Sequence, residues 1–473
     1  MSAAAHYARL EHIMRPRSVA IIGASDKRGK VGSIILRNYI DMGFTGRIYP
    51  INISAGADSL IQGMRAYRRI GDVHRALDLA VIAIPAQAVP RALDECGKAG
   101  VKGAVVVSGG FAEVGNLALE AKLKRIAERY SMPVIGPNCL GVMDLRARND
   151  TLFLPAGKLD RPRQGSISFV SQSGAVGSAV LDMMAHEGFG ISKFISYGNA
   201  AVVDEADLLH YLAHDDETNV VVWYVEGVRR GTALIDLARG ITAVKPIIVI
   251  KGGVTEQGSL AAHSHTAAMA GSAQSYEALF RQFGFVEAHA LEELIDFAKI
   301  FVRQRYATGN RVAVITNGGG TGVIATDALY ANGLQMARPS AESISALRRS
   351  MPSIVNVRMP LDMAGDADRE RFGSAMDVLA VDKGIDAFMV IALFQTPEAD
   401  GKLAAALAAY GISMRKPMVV VSPGGGYTAK QRKIIESAGV PVYDSPNAAA
   451  KAMAALIRYS QYRKAVAGSH AKR

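Results

Sequence analysis

The chain has almost no cysteine: Cys96 and Cys139 are the only two in 473 residues. That excludes a disulfide framework and a cysteine-built metal site. Aromatic residues are scarce as well, at 7%, with a single tryptophan. No apolar run approaches the roughly 18 residues that a membrane helix needs. Residues 1–10, MSAAAHYARL, lack the basic region and long apolar stretch of a secretory signal. The expected compartment is the cytoplasm, without membrane association. Basic residues exceed acidic ones, 54 against 43, but they are scattered singly and in pairs with no interleaved aromatics. A nucleic-acid groove would want clustering, so no nucleic-acid partner is expected; anionic small molecules such as nucleotides explain the excess equally well.

What is present is an ordinary globular mixture, 49% hydrophobic and 21% charged, long enough for about two to four domains. Residues 18–24, SVAIIGA, predict a buried strand running into GASDKRGKVGS and a helix through Ile34, Leu36 and Tyr39. A strand, a glycine turn and a helix start form an anion site, because free backbone N–H groups point at the ligand. The dinucleotide fingerprint G-x-G-x-x-G is only approximated: Gly23 is followed by Ser25, with Gly29 and Gly32 after an insertion. A nicotinamide cofactor also wants an acid at the end of the second strand, and the chain offers Asn52 there. Short β-branched runs at 78–84, 103–108 and 133–135 continue the βαβ pattern of a buried parallel sheet. They end in turns that carry Pro85, Glu113 and Asn138 as candidate contacts, although each alone is equally a turn residue.

A polar stretch, 146–164, precedes a second unit of the same kind. Strand 166–170 runs into a helix start that offers Ser171, Gln172, Ser173 and Gly174. Further strands are predicted at 191–197, 219–225 and 246–251, with Glu226 immediately after the middle one. The stretch 251–272, KGGVTEQGSLAAHSHTAAMAGS, then carries His263 and His265 with almost no bulky side chains. Such a composition predicts a low-stability, movable loop, and imidazole is a competent nucleophile toward phosphoryl groups. The plain alternative is a glycine-rich connection with surface histidines. After a polar linker at 303–311, a third unit opens with strand 312–316 and a helix start at Asn317, Gly318, Gly319 and Gly320. Strands at 386–393 and 417–421 and a helix at 446–462 follow, and the tail from Arg463 is expected to fray.

One glycine turn is weak evidence, since tight turns use glycine for backbone reasons alone. Three, with a histidine stretch between the second and third, point to phosphoryl transfer by positioning and electrostatics. The helix starts at 171–176 and 317–323 would each attract a phosphoryl group by roughly 0.3–2 kcal/mol.

In order, SVAIIGAS, SGGFAE, GPNCLG, VSQSGA, SYGNAAVVDEAD, YVEG, AAHSHTAAMAG and TNGGGTG resemble the NDP-forming acyl-CoA synthetases. The resemblance is to the α subunit of ADP-forming acetate–CoA ligase, a relative of succinyl-CoA synthetase, and it covers residues 15 to 462. It implies an α/β chain with a CoA-binding Rossmann-like domain (1–145) followed by two flavodoxin-like parallel domains (146–304, which holds the histidine stretch, and 308–464). It further implies that His265 is the phosphorylated histidine and that Glu226 helps to activate it. The SQSGA and TNGGGTG turns would hold the phosphohistidine, and Gly23, Ser25, Asn52 and the Pro85 turn would hold CoA. The reaction implied joins a carboxylic acid to CoA through an acyl phosphate, with ATP/ADP and Mg2+ handled by a partner.

The chain departs from the family pattern at three places. Ala267 stands where glycine usually follows SHT, Asn52–Ile53 replaces N-P, and Met359–Pro360–Leu361–Asp362 replaces N-P-x-D. His263 and His265 form H-x-H, but no other ligand cluster supports a metal. No stretch has the character of an ATP-grasp module, so the expectation is a separate ATP-grasp β-type subunit in a hetero-oligomer. The competing classes are a non-catalytic CoA-binding or regulatory protein and an NAD(P)-dependent oxidoreductase.

Overall fold

The computed structural model describes residues 3–259 and 273–470. His263, His265 and Ala267 lie outside the described residues. The chain divides into two compact units, Met1–Leu291 and Glu292–Arg473.

The first unit contains two sheets. One is built from β1 (Ser18–Ile22), β2 (Arg47–Ile51), β5 (Leu79–Ile82), β6 (Gly103–Val106) and β7 (Val134–Ile135), in the order β2-β1-β5-β6-β7 and parallel throughout. A small antiparallel hairpin, β3 (Leu60–Ile61) with β4 (Met64–Arg65), stands apart from it. Every residue of β1, β5 and β6 is buried. That explains why these strands appear as continuous apolar runs without alternation: helices cover both faces of the sheet.

The second sheet takes β10 (Arg163–Ser171), β11 (Gly190–Ser196), β12 (Val220–Val225), β13 (Ile247–Lys251) and β14 (Val286–Ala288) in the order β14-β13-β12-β10-β11. It is extended beyond β11 by β8 (Gly141–Asp144) and β9 (Asn149–Asp150), both antiparallel. The boundary expected at 145/146 therefore falls inside a hairpin of the second sheet. Residues 146–164 also pack back onto the first sheet. Leu152 and Leu154 carbonyls accept from Asn38 Nδ2 at 2.6 and 3.1 Å, and Asn149 Oδ1 accepts from Tyr39 Oη at 2.5 Å, so the stretch lies against a helix of the first sheet. One apolar core runs through both sheets, from Leu10, Val19 and Tyr39 to Tyr197, Trp223 and Val249. Beside it lies a buried ion cluster. Lys193 on β11, wholly inaccessible, meets Asp215 at 2.8 Å and Asp144 and Glu217 at 3.5 Å, while Arg15 reaches Asp144 at 3.1 Å.

The second unit has one sheet, in the order β16-β15-β18-β19-β20: β15 (Arg311–Thr316), β16 (Gln335–Met336), β18 (Ala387–Ile391), β19 (Met418–Val421) and β20 (Val442–Tyr443). β17 (Leu361–Asp362) joins β15 beyond β16. The last helix, Pro446–His470, does not stop near Arg463 as expected but continues for two further turns. Among the described residues no helix is long and apolar enough to cross a membrane.

All three sheets share one logic. The first strand of each, β1, β10 or β15, lies between the second strand on one side and the third main strand on the other. The winding direction reverses there, and in open α/β sheets ligands bind outside the carboxyl ends of the strands at that reversal. The fold thus nominates three places, and each is one of the glycine turns singled out in the sequence.

Candidate functional site

The reversal in the first sheet opens onto a cavity of about 470 Å³ lined by the turns after β1, β5 and β6. Of the sequence candidates, Gly23, Ser25, Gly32 and Pro85 line it. The glycines are there because the backbones touch. A Cβ on Gly32 would lie 2.1 Å from the Gly23 carbonyl oxygen, and one on Gly23 would lie 2.3 Å from that of Ala83. Gly23 also has a φ of +97°, which other residues rarely adopt. The helix Val31–Asp41 begins at this cavity with no side-chain cap on its first N–H groups, and Lys30 at its N-cap also lines the wall. An uncapped helix start beside a cation suits a phosphate ester. Lys30, Ser108 and Phe153 were not singled out from the sequence. Lys30 was recognisable within GKVG, whereas Phe153 comes from the polar stretch 146–164, in which no candidate was named.

Four other candidates are not among the lining residues. Gly29 sits at a φ of +80° with open space around it. Asn52 braces the turn instead: its Nδ2 donates to Ala24 O at 2.7 Å, and its Oδ1 accepts from Ser54 N at 2.9 Å. Glu113 accepts from the N–H groups of Gly110 and Phe111 and from Asn199 Nδ2 at 2.6 Å. Burial works to raise its carboxyl, but these donors outweigh burial and hold it below the usual range. Asn138 Nδ2 donates to Asn199 Oδ1 at 3.2 Å, which closes the same network. Glu113 and Asn138 therefore join the rim of the first sheet to the loop after β11.

At the second reversal, Ser173 caps the helix Gly174–His186 by accepting from Val176 N at 3.3 Å, and Ser171 Oγ donates to Ser173 O. Gln172 reaches across the reversal. Its Oε1 accepts from Glu226 N at 2.7 Å and Gly227 N at 3.1 Å, which fixes the backbone of the turn after β12. Glu226 is 8% exposed; its Oε1 accepts from Tyr224 Oη at 3.2 Å, and its Oε2 is buried with no partner among the described residues. An unpartnered buried carboxylate oxygen is costly unless another group completes it. β12 and β13 are direct neighbours, with Val225 opposite Lys251. Glu226 and the start of the histidine stretch thus leave the same edge side by side, as required by the sequence reading.

A second acid lies behind this turn. Glu205, 1% exposed, accepts from Arg229 N at 3.3 Å through Oε2, while its Oε1 has no partner among the described residues. Burial, reinforced by Asp204, pushes its carboxyl up to about 7. No feature of VVDEAD marked it: an acid in the first turn of a helix is commonplace.

At the third reversal the same device recurs. Asn317 exchanges hydrogen bonds with Leu393, Nδ2 donating to its carbonyl at 3.2 Å and Oδ1 accepting from its N–H at 2.9 Å. Gly318 N donates to Thr316 Oγ1 at 2.9 Å. A Cβ on Gly319 would stand 2.5 Å from Asp362 Oδ2, so this helix start already has a carboxylate beside it. An anion docking here meets that negative charge.

Comparison with known proteins identifies the family. Residues 17–144 match a CoA binding domain, and residues 164–301 match the succinyl-CoA ligase like flavodoxin domain. The chain is 35% identical to the α subunit of acetate–CoA ligase (ADP-forming) II of Pyrococcus furiosus, with 96% of this chain and 98% of that one aligned. It is 39% identical to acetate–CoA ligase (ADP-forming) I of Archaeoglobus fulgidus, again over 96% of this chain, but it spans only 64% of that protein's length. Among solved structures, the dinucleotide-forming acetyl-coenzyme A synthetase 1 of Ca. Korarchaeum cryptofilum, in complex with phosphate and ADP, superposes with a TM-score of 0.90 at 37% identity, covering 97% of this chain and 98% of that one. Near-complete alignment with an α subunit and two domain matches in the right order lead to one conclusion: the chain belongs to the NDP-forming acyl-CoA synthetases, the family of the ADP-forming acetate–CoA ligases.

Proposed function

We propose that this chain is the α-type component of an NDP-forming acyl-CoA synthetase, which converts a carboxylic acid, CoA and ATP to acyl-CoA, ADP and phosphate. The observation that carries the reading is the placement of Glu226 directly after β12, beside β13, from which the stretch with His263 and His265 departs. Glu226 Oε2, buried and without a partner among the described residues, is an acceptor for an imidazole N–H. An imidazole so held keeps its other nitrogen's lone pair free to attack phosphorus. His265 is assigned that role through the SHT triplet, over His263.

The chemistry balances in three displacements. The imidazole takes the γ-phosphoryl group of ATP and releases ADP. The acid's carboxylate then takes the phosphoryl group from the histidine, giving an acyl phosphate. The CoA thiol, losing its proton, attacks the acyl carbon and expels phosphate. The cavity at Gly23, Ser25, Gly32 and Pro85 is the proposed CoA site, with Gly29, Asn52, Glu113 and Asn138 shaping its walls and rim. The helix starts at Ser171, Gln172, Ser173 and Gly174 and at Asn317, Gly318, Gly319 and Gly320 are proposed phosphoryl stations. Mg2+ and the nucleotide are assigned to a separate ATP-grasp subunit; no residue of this chain is assigned to them. The alternative of a non-catalytic CoA-binding protein predicts CoA binding without a phosphorylated intermediate.

The test supplies labelled ATP and an ATP-grasp β subunit from the family, then measures acid-labile phosphate on this chain. The wild type and His263→Ala should label, and His265→Ala should not. Labelling of His265→Ala at the wild-type level refutes the assignment.

A further inference from the structure

Lys251 closes β13 and stands at the root of the histidine-bearing stretch. It is a buried lysine, 6% exposed, in a chain whose other cations mostly face solvent. Its Nζ donates to Gly252 O and lies 4.9 Å from the centre of the Tyr276 ring. Among the described residues it makes no direct ion pair with a carboxylate. Across the strand pair stands the other half of the anomaly, Glu226, whose Oε2 lacks a partner. A buried ammonium and a buried carboxylate oxygen on adjacent strands, each incompletely satisfied, form an arrangement that a third group must complete.

The ground between them is Gly252. A Cβ there would lie 2.6 Å from Tyr224 Oη and 3.4 Å from Glu226 Cγ, so the backbone carrying the Lys251 hydrogen bond packs directly on the Glu226 side chain. Gly252 N donates to Val225 O at 2.8 Å, which locks the two strand ends together. Glu205 and Arg229 lie behind the same turn, the Arg229 N–H donating to Glu205 Oε2. Tyr224 donates to Glu226, Tyr276 Oη accepts from Val228 N at 3.1 Å, and Gln172 is occupied by the Glu226 backbone. Tyr197 lies within the fields of both Glu205 and Glu226, and Tyr276 within that of Glu205. Lys251 lies within the field of Glu226.

We propose that Lys251 is the cationic positioning residue of phosphoryl transfer: its buried ammonium, held on Gly252 O at the root of the histidine-bearing stretch, offsets the negative charge that gathers there when a phosphoryl group is carried in. The proposal rests on the phosphohistidine reading above. Burial lowers the ammonium's proton affinity, partly countered by Glu226, so Lys251 gives up its charge below the ordinary lysine range. The site should then lose activity on the alkaline side at a pH where an exposed lysine would still be charged.

The experiment follows the rate of acid-labile labelling of the full chain by acetyl [32P]phosphate between pH 6 and 10, which needs no partner subunit. Wild type should slow on the alkaline side. Lys251→Arg should stay within about threefold of wild type at pH 7, with its alkaline fall moved to higher pH, because guanidinium does not deprotonate in proteins. Lys251→Met should be about tenfold slower at pH 7 and lack that alkaline fall, while binding CoA normally by calorimetry. The proposal is overturned if Lys251→Met labels like wild type. It is equally overturned if Met and Arg variants slow together and keep the wild-type alkaline fall, because that pattern is structural damage. Failure of the wild type to label both from acetyl phosphate and from ATP with a β subunit, or Glu226→Gln labelling at the wild-type rate, overturns the underlying phosphohistidine reading and this inference with it.

Discussion

Glu205 offers a test of how the turn behind Glu226 is held, because its burial has a thermodynamic signature. Its carboxyl is raised from 4.5 to about 7, first by burial and then by Asp204. An acid raised in the folded state binds its proton more tightly there than in the unfolded chain. Stability from this group is therefore fully present below about pH 4.5, falls as pH rises toward 7, and levels off above. A shift of about 2.5 units at 1.36 kcal/mol each corresponds to roughly 3 kcal/mol between the two plateaus. Glu205→Gln keeps the shape and a donor while removing the titration. Trp223, the chain's single tryptophan and fully buried in the same unit, reports unfolding of that unit alone. Urea titrations followed by its fluorescence should show the variant gaining about 2–3 kcal/mol on wild type between pH 5 and pH 8, with other titrating groups cancelling in the comparison. A difference that stays constant with pH would mean that Glu205 is ionised in the folded protein, and the argument from burial would fail.

Three further outcomes follow from the packing. Lys193→Met removes the cation from a buried cluster and leaves Asp144 and Asp215 without it; urea unfolding should show a loss of about 3–5 kcal/mol. Gly32→Ala puts a methyl 2.1 Å from the Gly23 carbonyl oxygen, and calorimetry should show CoA affinity reduced at least tenfold. Gln172→Leu strips the acceptor from two backbone N–H groups at Glu226 and Gly227, worth about 1–3 kcal/mol for each buried donor left unmade. Histidine labelling should slow while CoA binding persists, and unchanged labelling would remove Gln172 from the argument.

Much of this architecture was legible in the sequence because its signals are local. A short β-branched run followed by a glycine turn and a helix start is written within about 20 residues, and three such units were recognised at the turns that the sheets place at their reversals. What was not legible depends on partners far along the chain. Nothing within 146–164 shows that Asn149 will meet Tyr39, or that Leu152 and Leu154 will satisfy Asn38, so the stretch reads only as polar. Glu113 and Asn138 were sensibly nominated as ligand contacts, yet their side chains are engaged by Asn199, some 60–90 residues away. Lys193 gives no warning either, since an apolar strand that buries one lysine is indistinguishable from an edge strand until the acids arrive.

The amides after the first strand of the second and third sheets show what sequence motif and topology each contribute. In VSQSGA and TNGGGTG, Gln172 and Asn317 read as members of the anion-binding helix starts. The strand order gives them a reason. The first and third main strands of each sheet are neighbours only because the winding reverses, and no helix or hairpin ties their exits together there. A side-chain amide can donate and accept at once, so it can stand in for the missing ladder: Gln172 holds the turn that carries Glu226, and Asn317 holds Leu393 through both of its polar atoms. The glycines that follow would let each helix start come close to the proposed phosphoryl group, and the amide ahead of them keeps the opposite wall from moving away. On this argument the motif's polar residue belongs to the scaffold of the site and the glycines to its surface, a division of labour that spacing alone could not have assigned.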